Sequence, residues 1–248
     1  MTSPEEPFSL KDLFRAFSGA VVPVFSVDRS GDEGVGTAFH VGEGIFVTAR
    51  HVVDGMQSCR VELDPGGLPS SVTQGRFFEP VIWPVTAGYH HDPQVDVAVF
   101  QIAELDVLPV IPLGGHLDDW INDDQFLLND VLVIGFPPIP LANRPLLLAA
   151  RGEVNAVVDL IGGQHPHFIL SVTARGGFSG GVVLSEWNFA LGLVTQSLVK
   201  NSLPEELGYL TVLTIEPIYQ CLADNDFMPT QMKELFPDLF EKRAPLTS

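Results

Sequence analysis

Basic residues are scarce in this chain: 13 Lys and Arg stand against 31 Asp and Glu, a formal charge of −18. A surface of that sign repels phosphate backbones instead of releasing their counterions, which excludes nucleic acid as a partner class. The acidity serves solubility, or a preference for cationic partners and substrate segments. Cysteine is almost absent. Cys59 and Cys221 lie far apart, in contexts that read as a strand and a helix, so a disulfide scaffold is not indicated and both are expected as small buried hydrophobes. Long apolar runs are missing as well. No stretch of about 18 apolar residues occurs, and "MTSPEEPFSLKDLF" places acids where a signal peptide needs a basic region followed by an apolar one. These absences predict a soluble, cytoplasmic chain without membrane contact.

What is present in quantity is short β-rich runs. Ser9 with Asp12 reads as a helix N-cap, and Leu10, Leu13, Phe14 and Phe17 recur at helical spacing, so 1–19 is expected as an N-terminal helical segment. From Ala20 the texture changes to "AVVPVFSV", "GIFVTA", "VDVAVFQI", "VLVIGF", "HFILSV" and similar runs, broken by Gly, Pro, Asp and Asn. Many short strands with almost no long helical period mean an all-β sandwich or barrel. The stretch 112–130, rich in Gly, Asp and Asn, divides the strands into two sets at 20–111 and 131–221 and is read as a linker. "EPIYQCLADND" predicts a helix closing the second set, with Pro in its first turn. In the tail, 222–248, Met228, Met232, Leu235 and Phe236 fall at helical spacing before Pro237, a pattern for packing back onto the body or for docking a regulatory protein partner.

The stretch with the most chemistry is "GGFSGG", Gly176 to Gly181. It satisfies G-x-S-x-G, the nucleophile elbow of α/β-hydrolases, whose catalytic histidine follows the serine in the chain. All seven histidines precede Ser179, and the strands do not alternate with helices, so that machine is excluded. Read as G-x-S-G-G, the stretch offers the backbone N–H groups of Gly177 and Ser179 as a nest beside the hydroxyl, the geometry of an oxyanion hole. A serine nucleophile then needs a histidine base and a carboxylate to hold the base's tautomer. His51 closes the apolar run of "GIFVTARHVV", and Asp96 stands where a loop enters the alternating strand of "VDVAVFQI".

"VTARHVV", "VDVAVF" and "GGFSGGVV", in the order His, Asp, Ser, resemble the trypsin-like serine peptidases of the chymotrypsin fold, and more nearly their disulfide-free bacterial, Deg-like branch. The resemblance covers roughly residues 20 to 220. It implies two antiparallel six-stranded β-barrels with short terminal helices, His51 and Asp96 from the first barrel meeting Ser179 from the second, and an oxyanion hole of Gly177 and Ser179. It also implies that Thr173 lies near the floor of the specificity pocket, with Thr195, Gln196 and Ser197 as its wall. None of these four carries a carboxylate for Lys or Arg, so a small or medium apolar residue is expected before the scissile bond, unless Arg175 points inward and favours an acid. The expected function is therefore a serine endopeptidase acting on protein or peptide, the alternative being a silent or partner-activated binding module on the same fold.

Two departures stand out. Phe178 occupies the position where zymogen-activated relatives carry an aspartate, and no activation sequence precedes "AVVPVF", so activity is not expected to depend on cleavage of that type. The pairs His90–His91 and His165–His167 lack a Cys or carboxylate at ligand spacing. They are read as surface or loop histidines, and no metal or cofactor is expected.

Overall fold

A computed structural model describes residues 7–63, 80–118, 121, 124–139, 141–142, 144–159, 165–172, 178–197 and 209–235, the side chains at 196, 197, 234 and 235 excepted. Helix α1 (Leu10–Phe17) forms where Ser9 predicts it: the Ser9 side chain accepts from the Asp12 N–H at 3.2 Å, satisfying one of the donors that a helix start leaves unpaired. Its apolar stripe puts Leu13 and Phe17 into the core.

The first sheet holds seven antiparallel strands, β1 (Val21–Val27), β2 (Glu33–Gly42), β3 (Ile45–Thr48), β4 (Ser58–Leu63), β5 (Val81–Pro84), β6 (Gly88–Tyr89) and β7 (Ala98–Gln101), in the order β5-β4-β1-β2-β3-β7-β6. The second holds β8 (Asp130–Gly135), β9 (Leu148–Asp159), β10 (Pro166–Leu170), β11 (Val182–Ser185), β12 (Ala190–Ser197) and β13 (Leu210–Leu213), closed as β10-β13-β12-β11-β8-β9. The all-β, two-barrel expectation holds, and the second unit has its six strands. The first differs in detail, with seven strands and a sheet that is open between β5 and β6 among the described residues. β5 ends on Pro84, which has no N–H to extend a ladder, and β6 is only two residues long.

The apolar runs of β8 and β11 are continuous because these strands are buried on both faces. In β8, Val131 and Val133 point into the barrel's own core, whereas Leu132 and Ile134 join the first barrel's cluster across the seam. β11 does the same, with Val183 inward and Val182 and Leu184 in the seam. The larger of the two core clusters thus spans both units.

The one-turn helix α2 (Arg50–Val53) follows β3, and α3 (Glu216–Asp224) closes the chain against β6 and β7, with Pro217 at its start. Helix α4 (Thr230–Leu235) carries the start of the tail back to the body. Met228 and Met232 enter the main core, and the Thr230 N–H donates to Glu43 Oε1 at 2.8 Å. Phe236 and the residues after it lie outside the described residues.

Four histidines are held inside this fold, and burial lowers the pKa of His40, His90, His116 and His167 from the ordinary value of 6.5. Below that value the unfolded chain takes up protons at these positions that the folded chain resists. Their contribution to stability is therefore full above pH 6.5 and is lost as the pH falls below it, by at most about 1.4 kcal/mol per pH unit for each histidine. Urea midpoints measured from neutral pH downward are expected to decline. His116→Gln, which keeps a donor for the Leu191 carbonyl, is expected to flatten that decline relative to wild type.

Candidate active site

His51 sits in the first turn of α2, directly after the buried end of β3. Asp96 lies in the loop between β6 and β7 and grips that residue twice. Its Oδ1 accepts the His51 backbone N–H at 3.0 Å, and its Oδ2 pairs with His51 Nδ1 at 2.8 Å. The first contact pairs a donor at the exposed N-terminus of α2. The second places the ring proton on Nδ1, which leaves the Nε2 lone pair free to accept a proton. The acid is largely enclosed and the imidazole is nearly half exposed, so a fixed carboxylate holds an accessible ring.

Ser179 is presented by a tight turn. The Gly181 N–H donates to the Phe178 carbonyl at 2.7 Å, and Gly180 has φ +83°, the positive value that the third residue of a type II turn requires. The turn is tied to its own barrel by Gly180 N–H to Val194 O at 2.8 Å and Val194 N–H to Gly181 O at 2.9 Å. Phe178 is fully buried in the second barrel's core, so a packed ring anchors the position where an ion pair was absent from the sequence. The Ser179 hydroxyl donates to the Thr195 carbonyl at 3.2 Å. Among the described residues it makes no hydrogen bond to His51.

The structure adds two residues that the sequence reading missed. Thr37 in β2 donates its N–H to the Ser179 carbonyl at 2.9 Å, and its Oγ1 accepts the Phe136 N–H at 2.9 Å. Its own carbonyl accepts the Thr48 hydroxyl at 2.6 Å. Thr48 precedes His51 by three residues, so one buried threonine links the strand before His51, the serine turn and the end of β8. A polar residue inside the apolar runs "GTAFHV" and "GIFVTA" was the only available sign. Gly180 is pressed against the same point: a Cβ there would lie 2.0 Å from the Thr37 oxygen and 2.5 Å from Thr48 Oγ1.

Of the residues assigned to substrate, Thr195 is a buried member of β12, and Gln196 and Ser197 continue that strand, their side chains outside the description. Thr173 and Gly177 lie outside the described residues. No helix among the described residues is long and apolar enough to cross a membrane.

The trypsin-like peptidase domain matches residues 36–193, well over half the chain. The chain belongs to the trypsin-like peptidase family. It is accordingly a serine endopeptidase by family, and solved structures agree on the fold. The HtrA-type protease AlgW with a tripeptide superimposes with a TM-score of 0.64 at 19% identity, covering 92% of this chain and 72% of that one. The Rv3671c protease from M. tuberculosis in its active form gives 0.61 at 20%, covering 90% and 91%. The serine endoprotease from Yersinia pestis gives 0.58 at 20%, covering 96% and 69%. In the match to a variant of AlgW the chain spans 64% of that protein's length. No curated protein matches in sequence.

Gly180→Ala forces a Cβ onto the Thr37 carbonyl in a backbone conformation that costs L-residues strain. It is expected to destabilise the fold by about 2–5 kcal/mol, read as a lower urea midpoint at unchanged m-value. Thr37→Val leaves the buried Phe136 N–H without its acceptor and is expected to cost about 1–3 kcal/mol, which Thr37→Ser restores in the same measurement.

Proposed function

We propose that this peptidase hydrolyses peptide bonds through Ser179, His51 and Asp96. The observation that carries the reading is the two-point hold of Asp96 on His51, which sets ring orientation and tautomer before substrate arrives. Ser179 Oγ attacks the scissile carbonyl carbon while His51 Nε2 accepts its proton, and the oxyanion that forms is held by the N–H groups of Gly177 and Ser179. The imidazolium, stabilised by Asp96, returns the proton to the leaving amine. A water then repeats the sequence on the acyl-enzyme, releasing the acid and regenerating the hydroxyl. Rotation about the Ser179 Cα–Cβ bond moves the hydroxyl from the Thr195 carbonyl to His51.

The substrate is a protein or peptide. Thr173, Thr195, Gln196 and Ser197 provide no carboxylate for Lys or Arg, which supports a small or medium apolar residue before the cleaved bond.

One observation favours a second reading, a partner-activated form: the Ser179 hydroxyl is engaged by the Thr195 carbonyl and not by the base. A fluorophosphonate probe distinguishes the two. Labelling of the free wild type, with none in Ser179→Ala, is expected for the competent enzyme. Labelling that appears only with an added partner supports the second form, and equal labelling of both proteins rejects the assignment. In casein or peptide cleavage, Asp96→Asn is expected to lower kcat by about 10⁴-fold, because an amide no longer enforces the Nδ1–H tautomer. N-terminal sequencing of the products is expected to place cuts after small apolar residues and not after Lys or Arg.

A further inference from the structure

The histidine pair that the sequence left without a complementary carboxylate acquires one in the fold. Helix α3, more than a hundred residues later in the chain, lays Gln220 and Asp224 one turn apart against the loop after β6. His90 Nε2 meets Gln220 Oε1 at 2.9 Å, and His91 Nδ1 meets Asp224 Oδ2 at 2.7 Å. The two imidazoles stack with centroids 4.2 Å apart. His90 is also not on the surface, being only 3% exposed.

We propose that His90, His91 and Asp224 form a binding site for a divalent first-row cation of the zinc type. One nitrogen from each ring and one carboxylate oxygen already lie within 4.8 Å of one another. A tetrahedral ion with bonds of about 2.0–2.1 Å needs donor separations of roughly 3.3 Å. Because the His91 side chain is more than half exposed, it can turn to close that gap without disturbing the core.

The surroundings prepare His90 for ligation. The Gln220 amide nitrogen donates to Glu216 Oε1 at 3.1 Å, which turns the amide oxygen toward His90. His90 Nε2 therefore carries the proton, and Nδ1 is a lone pair that accepts the Asp92 N–H at 3.0 Å. Neutral imidazole with its tautomer fixed by a second partner is the form a metal takes. Burial lowers the pKa of His90 and reinforces that form. The ion replaces the Asp92 N–H on His90 and the hydrogen shared by His91 and Asp224, the His91 ring proton shifting from Nδ1 to Nε2 as Nδ1 becomes the ligand, and solvent completes the coordination on the exposed side. Two imidazoles and one carboxylate suit zinc and its neighbours, whereas calcium and magnesium favour all-oxygen sets.

The site is joined through the chain to Asp96, the acid that holds His51. The turn that starts at His90 runs through Asp92, whose side chain caps the Gln94 N–H at 2.8 Å and whose carbonyl accepts the Val95 N–H at 3.2 Å, to Asp96. An ion here pins the Asp96 loop to α3.

The test is calorimetric titration of the chelator-treated full chain with Zn2+, together with the visible spectrum of a Co2+ titration. Wild type is expected to bind one ion, to show a four-coordinate cobalt spectrum and to melt at a higher temperature with zinc. Asp224→Asn and His91→Gln are each expected to weaken binding by at least about tenfold. His51→Gln, which removes the other exposed imidazole–carboxylate pair, is expected to bind zinc as wild type does. If Asp224→Asn does not fold, the exposed His91→Gln decides alone. Absence of zinc binding by wild type, binding unchanged in His91→Gln, or loss of the site in His51→Gln overturns the proposal.

Discussion

The whole arrangement depends on one buried contact between the barrels, the main chain of Thr37 against the turn at Ser179 and Gly180. Ser179 and His51 come from different β units, so they hold their relative position only as well as the units hold theirs. Apolar burial along the seam supplies adhesion but little direction, since the hydrophobic effect is non-directional. The hydrogen bonds of Thr37 supply direction: they address the serine turn, the end of β8 and the strand leading to His51 at a single fully buried residue. Gly180 completes the contact by having no side chain, which lets backbone meet backbone where any Cβ would collide.

Much of this was legible from the chain alone. Ser179, His51 and Asp96 could be singled out because each stands at a break in an apolar run, and because the absence of histidine after Ser179 excluded the competing hydrolase; the fold then brings Asp96 onto His51. The N-cap at Ser9, the helix opened by Pro217 and the returning methionines were equally readable, as each rests on local spacing. What was not legible depends on distance in sequence. Thr37 looks like any strand threonine until the second barrel docks on it. His90 and His91 lacked a carboxylate because α3 carries it, and no spacing rule reaches across 133 residues. The strand count of the first barrel also escaped, since Pro84 and the brevity of β6 act on pairing and not on pattern.

Two of the acids that pair with histidines show how one chemical unit recurs in different settings. Asp96 holds both the backbone and the ring of His51, and Asp224 holds both the backbone and the ring of His91. In the first case the ring belongs to the turn that begins a helix. In the second the acid sits at the end of a helix, and its histidine stacks on a second imidazole. The same pairing of carboxylate and imidazole underlies both the proton acceptor proposed at His51 and the ligand set proposed at His91.

The ring of Phe178 sets the conditions under which the serine turn keeps its shape. An anchor made of an ion pair weakens when salt screens it or when pH discharges one partner. A buried phenyl group has neither charge nor proton to lose. Its hold comes from exclusion from water, which fades on cooling and in urea. The hold on the serine turn is thereby made indifferent to screening by salt and answerable to temperature, so cooling weakens it where ionic strength does not.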